Sequence, residues 1–123
     1  VIAVIAIALF AANSAGFFKS QPEVAPEIGK IILFYGQECP HCQDLEAWMT
    51  DNSIDEKVFV EKLEVWYDKD SQNLLLGAAK SCKINTDSVG VPFLWDGQGN
   101  CLVGLEPIEE FFTQKIKSDE VSE

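Results

Sequence analysis

The sequence predicts an α/β fold in which a four-stranded mixed sheet carries helices on both faces. Three observations carry this. A short apolar run at Lys30–Tyr35 precedes a helix with an inward apolar stripe; a second run at Val58–Tyr67 precedes another helix; and two short apolar runs joined by a glycine-rich turn precede a last amphipathic helix. The element order is then β-α-β-α-β-β-α. Its first three elements make a right-handed parallel unit, and the closing hairpin adds antiparallel strands.

Lys30–Tyr35 (Lys-Ile-Ile-Leu-Phe-Tyr) shows no alternation, which suits a central strand buried on both faces. Gly36-Gln37-Glu38 supplies the turn. A helix begins near Cys39 or Pro40, because proline is tolerated where the first-turn N–H has no intrahelical partner. Leu45, Trp48 and Met49, at i, i+3 and i+4, form its inward stripe, and Asp51-Asn52-Ser53 ends it. Val58–Tyr67, rich in Val, Phe, Leu, Trp and Tyr, is the second strand. The second helix starts near Asp70 or Ser71, either of which can cap it, and carries Leu74, Leu75, Leu76, Ala78 and Ala79. After a polar loop at Asn85–Gly90, the runs Val91–Trp95 and Cys101–Val103 flank Asp96-Gly97-Gln98-Gly99-Asn100, a hairpin signal. The last helix, Pro107–Lys117, places Ile108, Phe111, Phe112 and Ile116 on one face, with acids early and lysines late as the helix dipole prefers.

Nine lysines and no arginine stand against 20 acids, a net charge of −11. Nucleic acid is therefore not an expected partner, since binding it requires basic neutralisation of phosphates. Without arginine there is also no bidentate phosphate or carboxylate clamp. The acidity reads as a solvated surface, and a monomer is expected. Val1–Ala12 is uninterrupted apolar sequence, and Lys19 is the first charge. Residues 1–20 are read as a signal peptide or membrane anchor, the alternative being a buried N-terminal helix or strand. Residues 21–29, with Pro22, Pro26 and Gly29, are read as a linker, 30–117 as one small domain and 118–123 as an acidic tail. The apolar N-terminus and the four cysteines together point to an oxidising, extracytoplasmic compartment, with a membrane contact through the N-terminal segment.

Cys39-Pro40-His41-Cys42 is the motif that carries chemistry. Two cysteines separated by two residues at a helix start are the layout of a dithiol/disulfide exchange centre, whose cofactor is its own disulfide. Only a thiolate attacks a disulfide, and a helix N-terminus lowers the thiol pKa through unpaired N–H donors and a partial positive charge. Cys39 is thus the expected exposed nucleophile, with Cys42 one turn inward to resolve the mixed disulfide. His41, the only histidine, favours the thiolate and makes the disulfide more oxidising. Glu38 opposes this, but water screens an exposed acid.

Cys82 and Cys101 leave three readings open: a second disulfide tying helix to sheet, worth about 3 kcal/mol, two buried free thiols, or a relay with Cys39 and Cys42. Trp48 and Trp66 are expected in the core, while Trp95 is not assigned. Gly97 and Gly99 mark a turn rather than a phosphate loop.

On this element order, Cys39-Pro40-His41-Cys42 after the first strand and Gly90-Val91-Pro92-Phe93 opening the third make Lys30–Lys117 resemble the thioredoxin superfamily, in its short glutaredoxin-like form. The Pro-His pair is similar to that of DsbA-type periplasmic oxidoreductases, and Val60–Val65 looks like thioredoxin's second core strand. The resemblance implies a cis peptide bond between Val91 and Pro92, leaving the Val91 backbone to pair with an extended substrate. It also implies a buried acid on the first strand, where this chain has Leu33. Lys62 then lacks the partner it has in thioredoxin, and Glu38, Asp44 or solvent must take the Cys42 proton.

The expected function is a thiol–disulfide oxidoreductase acting on cysteine-containing protein substrates with a separate redox partner, in a direction left open. Pro40, His41, Val91 and Pro92 assist Cys39 and Cys42, and no metal is expected. A metal-binding module built on the four cysteines is the main alternative, although its spacing lacks the second close pair of a zinc ribbon. A redox-inactive adaptor is a further alternative.

Overall fold

A computed structural model describes residues 24–121. The expected signal or anchor segment, 1–20, lies outside the described residues, and among those residues no helix is long and apolar enough to cross a membrane.

The strands β1 (Ile31–Tyr35), β2 (Val60–Glu64), β3 (Phe93–Trp95) and β4 (Cys101–Val103) form one sheet in the order β2-β1-β3-β4. β1 runs parallel to β2, with Leu33 opposite Lys62, and antiparallel to β3, with Phe34 opposite Phe93; β3 and β4 are antiparallel. The helices are α1 (Pro40–Asp51), α2 (Ile54–Lys57), α3 (Lys69–Ser81) and α4 (Leu105–Val121). The fold is α/β, a four-stranded mixed sheet covered by helices on both faces, as the sequence predicts.

Strand β1 divides the core. Leu33 points into a cluster with Leu45 and Met49 of α1, Ile54 of α2, Leu94 of β3, and Ile108 and Phe112 of α4. Ile32 and Phe34 point the other way, among Leu75, Ala78 and Ala79 of α3 and Phe93 and Trp95 of β3. Successive strand residues face opposite sides, so a strand buried on both faces needs an unbroken apolar run, which β1 supplies.

Several boundaries differ from the sequence pattern for local reasons. β2 is shorter than Val58–Tyr67 at both ends. Ile54–Lys57 winds into a helical turn, with the Val58 N–H donating to the Ile54 carbonyl at 2.8 Å. Beyond β2, the Glu64 side chain accepts the Trp66 and Tyr67 N–H groups at 3.0 and 2.7 Å and turns the chain away from the sheet. Asp68, not Asp70 or Ser71, caps α3, accepting the Asp70 N–H at 3.0 Å. Helix α4 starts before Pro107, which sits in the first turn where its missing N–H costs nothing. It continues past Lys117 through Val121, so the start of the expected acidic tail is helical. The end of the expected linker is docked on the domain: the Gly29 N–H donates to the Gly97 carbonyl at 2.7 Å, and the Trp95 indole N–H donates to the Glu27 carbonyl at 3.0 Å.

Candidate active site

The C-terminal end of β1 delivers Gly36-Gln37-Glu38 and then α1. Cys39 is the N-cap, with extended φ/ψ of −81° and 115°, and Pro40 opens the helix. The Cys42 N–H donates to the Cys39 sulfur at 3.2 Å, so sulfur takes the place that a serine or aspartate oxygen fills at most helix starts. Cys39 and Cys42 are joined as a disulfide with their Cα atoms 5.2 Å apart. The helix N-terminus faces this sulfur with N–H donors and a partial positive charge, which stabilises a thiolate when the bond is reduced. Cys39 is more covered than the sequence predicts, at 5% exposure, because the loop before β3 lies over it. Its sulfur is 3.8 Å from the Val91 carbonyl oxygen. The Val91–Pro92 peptide bond is cis, and the Pro92 carbonyl accepts the Gly104 N–H at 2.9 Å. His41 is exposed and lines a hollow with Val91 and Pro92.

Cys82, at the end of α3, is bonded to Cys101 in β4. Cys101 pairs with Trp95, at the far end of β3 from Val91. The two disulfides therefore sit at opposite ends of the sheet, and the four sulfurs do not converge into one ligand set.

Leu33 is buried where the resemblance implies an acid. Lys62, opposite it, is not left unpaired: its Nζ lies 3.0 Å from Glu46 Oε2 and 3.0 Å from Asp55 Oδ2. Partial burial pulls its pKa down, but hydrogen bonds to Asp55 and Glu46 outweigh this and raise it overall. Glu46 lies one helical turn beyond Cys42 on α1.

The structure brings in residues that the motif did not single out. Trp66 and Tyr67 sit outside the core, with Trp66 44% exposed, whereas Trp95 is 2% exposed. This corrects the expectation for Trp66, while Trp48 is half-buried against the α1/α4 cluster. The Trp66 indole lies so close to Gly36 that a Cβ there would collide with it. Tyr67 Oη donates to Glu38 Oε1 at 2.5 Å, which raises the tyrosine pKa. Glu64 ties the two loops together by also accepting the Gln37 N–H at 2.9 Å. A Trp-Tyr pair directly after a strand was the available sequence signal. The partner loop is 27 residues away from Glu64 and was not visible in it.

This latch carries a pH dependence. Desolvation pushes the Glu64 carboxyl up, but N–H donors from Tyr67, Trp66, Gln37 and Asp68 together hold it below its ordinary value of 4.5. A carboxyl whose folded pKa is depressed stabilises the fold fully above its unfolded pKa, and that contribution disappears as pH falls through the lower folded value. Urea midpoints followed from neutral pH down past the carboxylate range are expected to drop less steeply in Glu64→Gln than in the native chain. Parallel acid limbs would mean that the latch does not contribute.

Around the disulfide lie two hollows that share Val91. One, of about 500 Å³, is a groove walled by Val65, Trp66, Leu75, Leu76 and Val89 with Cys39 at one side. The other, of about 400 Å³, is bounded by His41, Pro92, Leu105, Glu106 and Pro107.

No family model matches the chain, and no curated protein matches it. Among solved structures it is similar to a buckwheat glutaredoxin in complex with glutathione, at 14% sequence identity and a TM-score of 0.47 over 70% of each chain.

Proposed function

We propose that this protein is a thiol–disulfide oxidoreductase that exchanges disulfides with cysteines of other proteins through Cys39 and Cys42. The observation that carries the reading is the Cys39–Cys42 disulfide at the N-terminus of α1, with Cys39 opening onto a groove beside Val91. In the oxidising direction a client thiolate attacks the Cys39 sulfur, the Cys39–Cys42 bond breaks, and Cys42 leaves as the thiolate. A second client thiolate then attacks the client sulfur of the mixed disulfide and expels the Cys39 thiolate. The client loses two electrons and two protons, and the pair gains two electrons. The reverse sequence reduces a client disulfide. His41, as in the DsbA-type pair, favours the oxidising direction by stabilising the Cys39 thiolate. Pro40 starts the helix, and Val91 and Pro92 border the path of the client. Cys82–Cys101 has a structural role. The site of action is extracytoplasmic, by export or through an N-terminal anchor, where such a disulfide persists.

Equilibrating the full chain in graded ratios of oxidised and reduced dithiothreitol, with thiols counted by mass spectrometry, tests this. Reversible appearance of two thiols at Cys39 and Cys42 is expected, together with catalysis of insulin disulfide reduction. A Cys39–Cys42 bond that resists reduction, or a reduced pair without turnover, overturns it.

A further inference from the structure

The two hollows flanking Val91 differ in chemistry. No charged side chain lines the larger groove, and it leaves apolar surface open to water, with Trp66 44% and Leu76 37% exposed. Exposed apolar surface gathered in one groove is covered favourably by an apolar side chain. The smaller hollow holds Glu106, in the first turn of α4, as its one acidic side chain, together with His41. Val91, 3.8 Å from the Cys39 sulfur, is the residue common to both. A chain whose cysteine reaches Cys39 therefore sends its two flanks into different surroundings.

We infer, resting on the exchange reading above, that the site selects client cysteines carrying a bulky apolar residue on one flank and a basic residue on the other, and discriminates against glutathione. The apolar flank fills the groove along Trp66 and Leu76, and the basic flank meets Glu106. The net charge of −11 adds a field that draws cationic segments and repels anionic ones. Glutathione is small and carries two carboxylates. No lysine lines either hollow to receive them, and Glu106 stands on the wall of the smaller one, where His41 is the one side chain able to carry a positive charge.

The test uses the full chain, reduced, with peptides whose single cysteine is held as a mixed disulfide to thionitrobenzoate. The Cys39 thiolate attacks the peptide sulfur and yellow thionitrobenzoate leaves. Cys42 then displaces the peptide thiol and the protein disulfide re-forms. Peptides with Phe and Lys flanks in both orders are compared with Ser/Lys and Phe/Glu versions and with the glutathione mixed disulfide. One Phe/Lys order is expected to react about tenfold faster than its Ser/Lys counterpart, the scale of burying one large apolar side chain. It should also react about threefold faster than the Phe/Glu version, an exposed-charge effect that salt weakens. Glutathione should react slower than any Phe/Lys peptide. Glu106→Lys should reverse the charge preference, and Leu76→Ser should shrink the apolar one. Equal rates across the native chain's substrates, or glutathione reacting fastest, overturn the inference. Uncharged hydroxyethyl disulfide separates the two readings: if the reduced protein fails to exchange with it, the exchange function itself falls, whereas exchange without peptide preference removes only the selectivity.

Discussion

Replacing Cys42 with serine is expected to turn a fleeting mixed disulfide into an accumulating one, whereas replacing Cys39 is expected to abolish exchange. The asymmetry follows from where the sulfurs sit. Both cysteines are nearly covered, but Cys39 is the N-cap and borders the groove, whereas Cys42 lies within α1 and does not line it. On the proposed exchange reading, a client arriving along the groove meets the Cys39 sulfur first. Once a client sulfur is bonded to Cys39, the Cys42 sulfur, with its Cα 5.2 Å from that of Cys39, is held in place to displace it. Tethering of this kind gives intramolecular attack an effective molarity that a free thiol does not match. Serine at 42 removes that attack, so the covalent adduct persists and is seen as a mass increase on non-reducing gels. Serine at 39 leaves no sulfur on the wall of the groove, and turnover should fall by at least about a thousandfold, to the uncatalysed rate. If Cys42→Ser kept full turnover, Cys42 would not be the resolving cysteine; if Cys39→Ser trapped clients instead, the roles would be reversed.

Phe93→Ala is expected to be the most damaging core substitution, costing about 3–5 kcal/mol against a typical net stability of about 5–15 kcal/mol. Phe93 has no exposed surface and sits in the inner strand β3, between Phe34 of β1 and Val103 of β4. Its ring meets that of Phe34 edge to face at 5.9 Å. It immediately follows Pro92, so the cavity also loosens the segment that covers Cys39. Urea unfolding followed by circular dichroism should show a lowered midpoint with an unchanged slope. Phe59→Ala, at a site 82% exposed, should stay within about 0.5 kcal/mol of the native chain. Similar losses at both sites would contradict the assigned core.

The α/β class, the four strands and the helix that carries the cysteines were legible because each rests on local pattern. An unbroken apolar run makes an inner strand, a 3.6-residue stripe makes a covering helix, and glycines at φ of 84° and 90° at Gly97 and Gly99 suit the hairpin turn. Helix ends were less legible because capping depends on which nearby side chain reaches the backbone first. Asp68 did so in place of Asp70 or Ser71. The tryptophans show the limit most clearly. Trp66 and Trp95 are equally apolar, and only the placement of α3 over β3 and the turn at Glu64 decides that Trp95 is covered and Trp66 is not.

By itself, the sequence determined that two cysteines share the start of one helix, because three residues of separation need nothing but the helix to bring them together. It also determined the order of strands and helices, since periodicity is a property of neighbours. Only the tertiary structure decided what surrounds the disulfide. Val91 comes to Cys39 from 52 residues away, Glu64 joins Gln37 to Tyr67, and Lys62 finds Glu46 and Asp55 where Leu33 offers no charge. These contacts depend on chain segments brought together by burying the two faces of β1, and no local pattern encodes that juxtaposition.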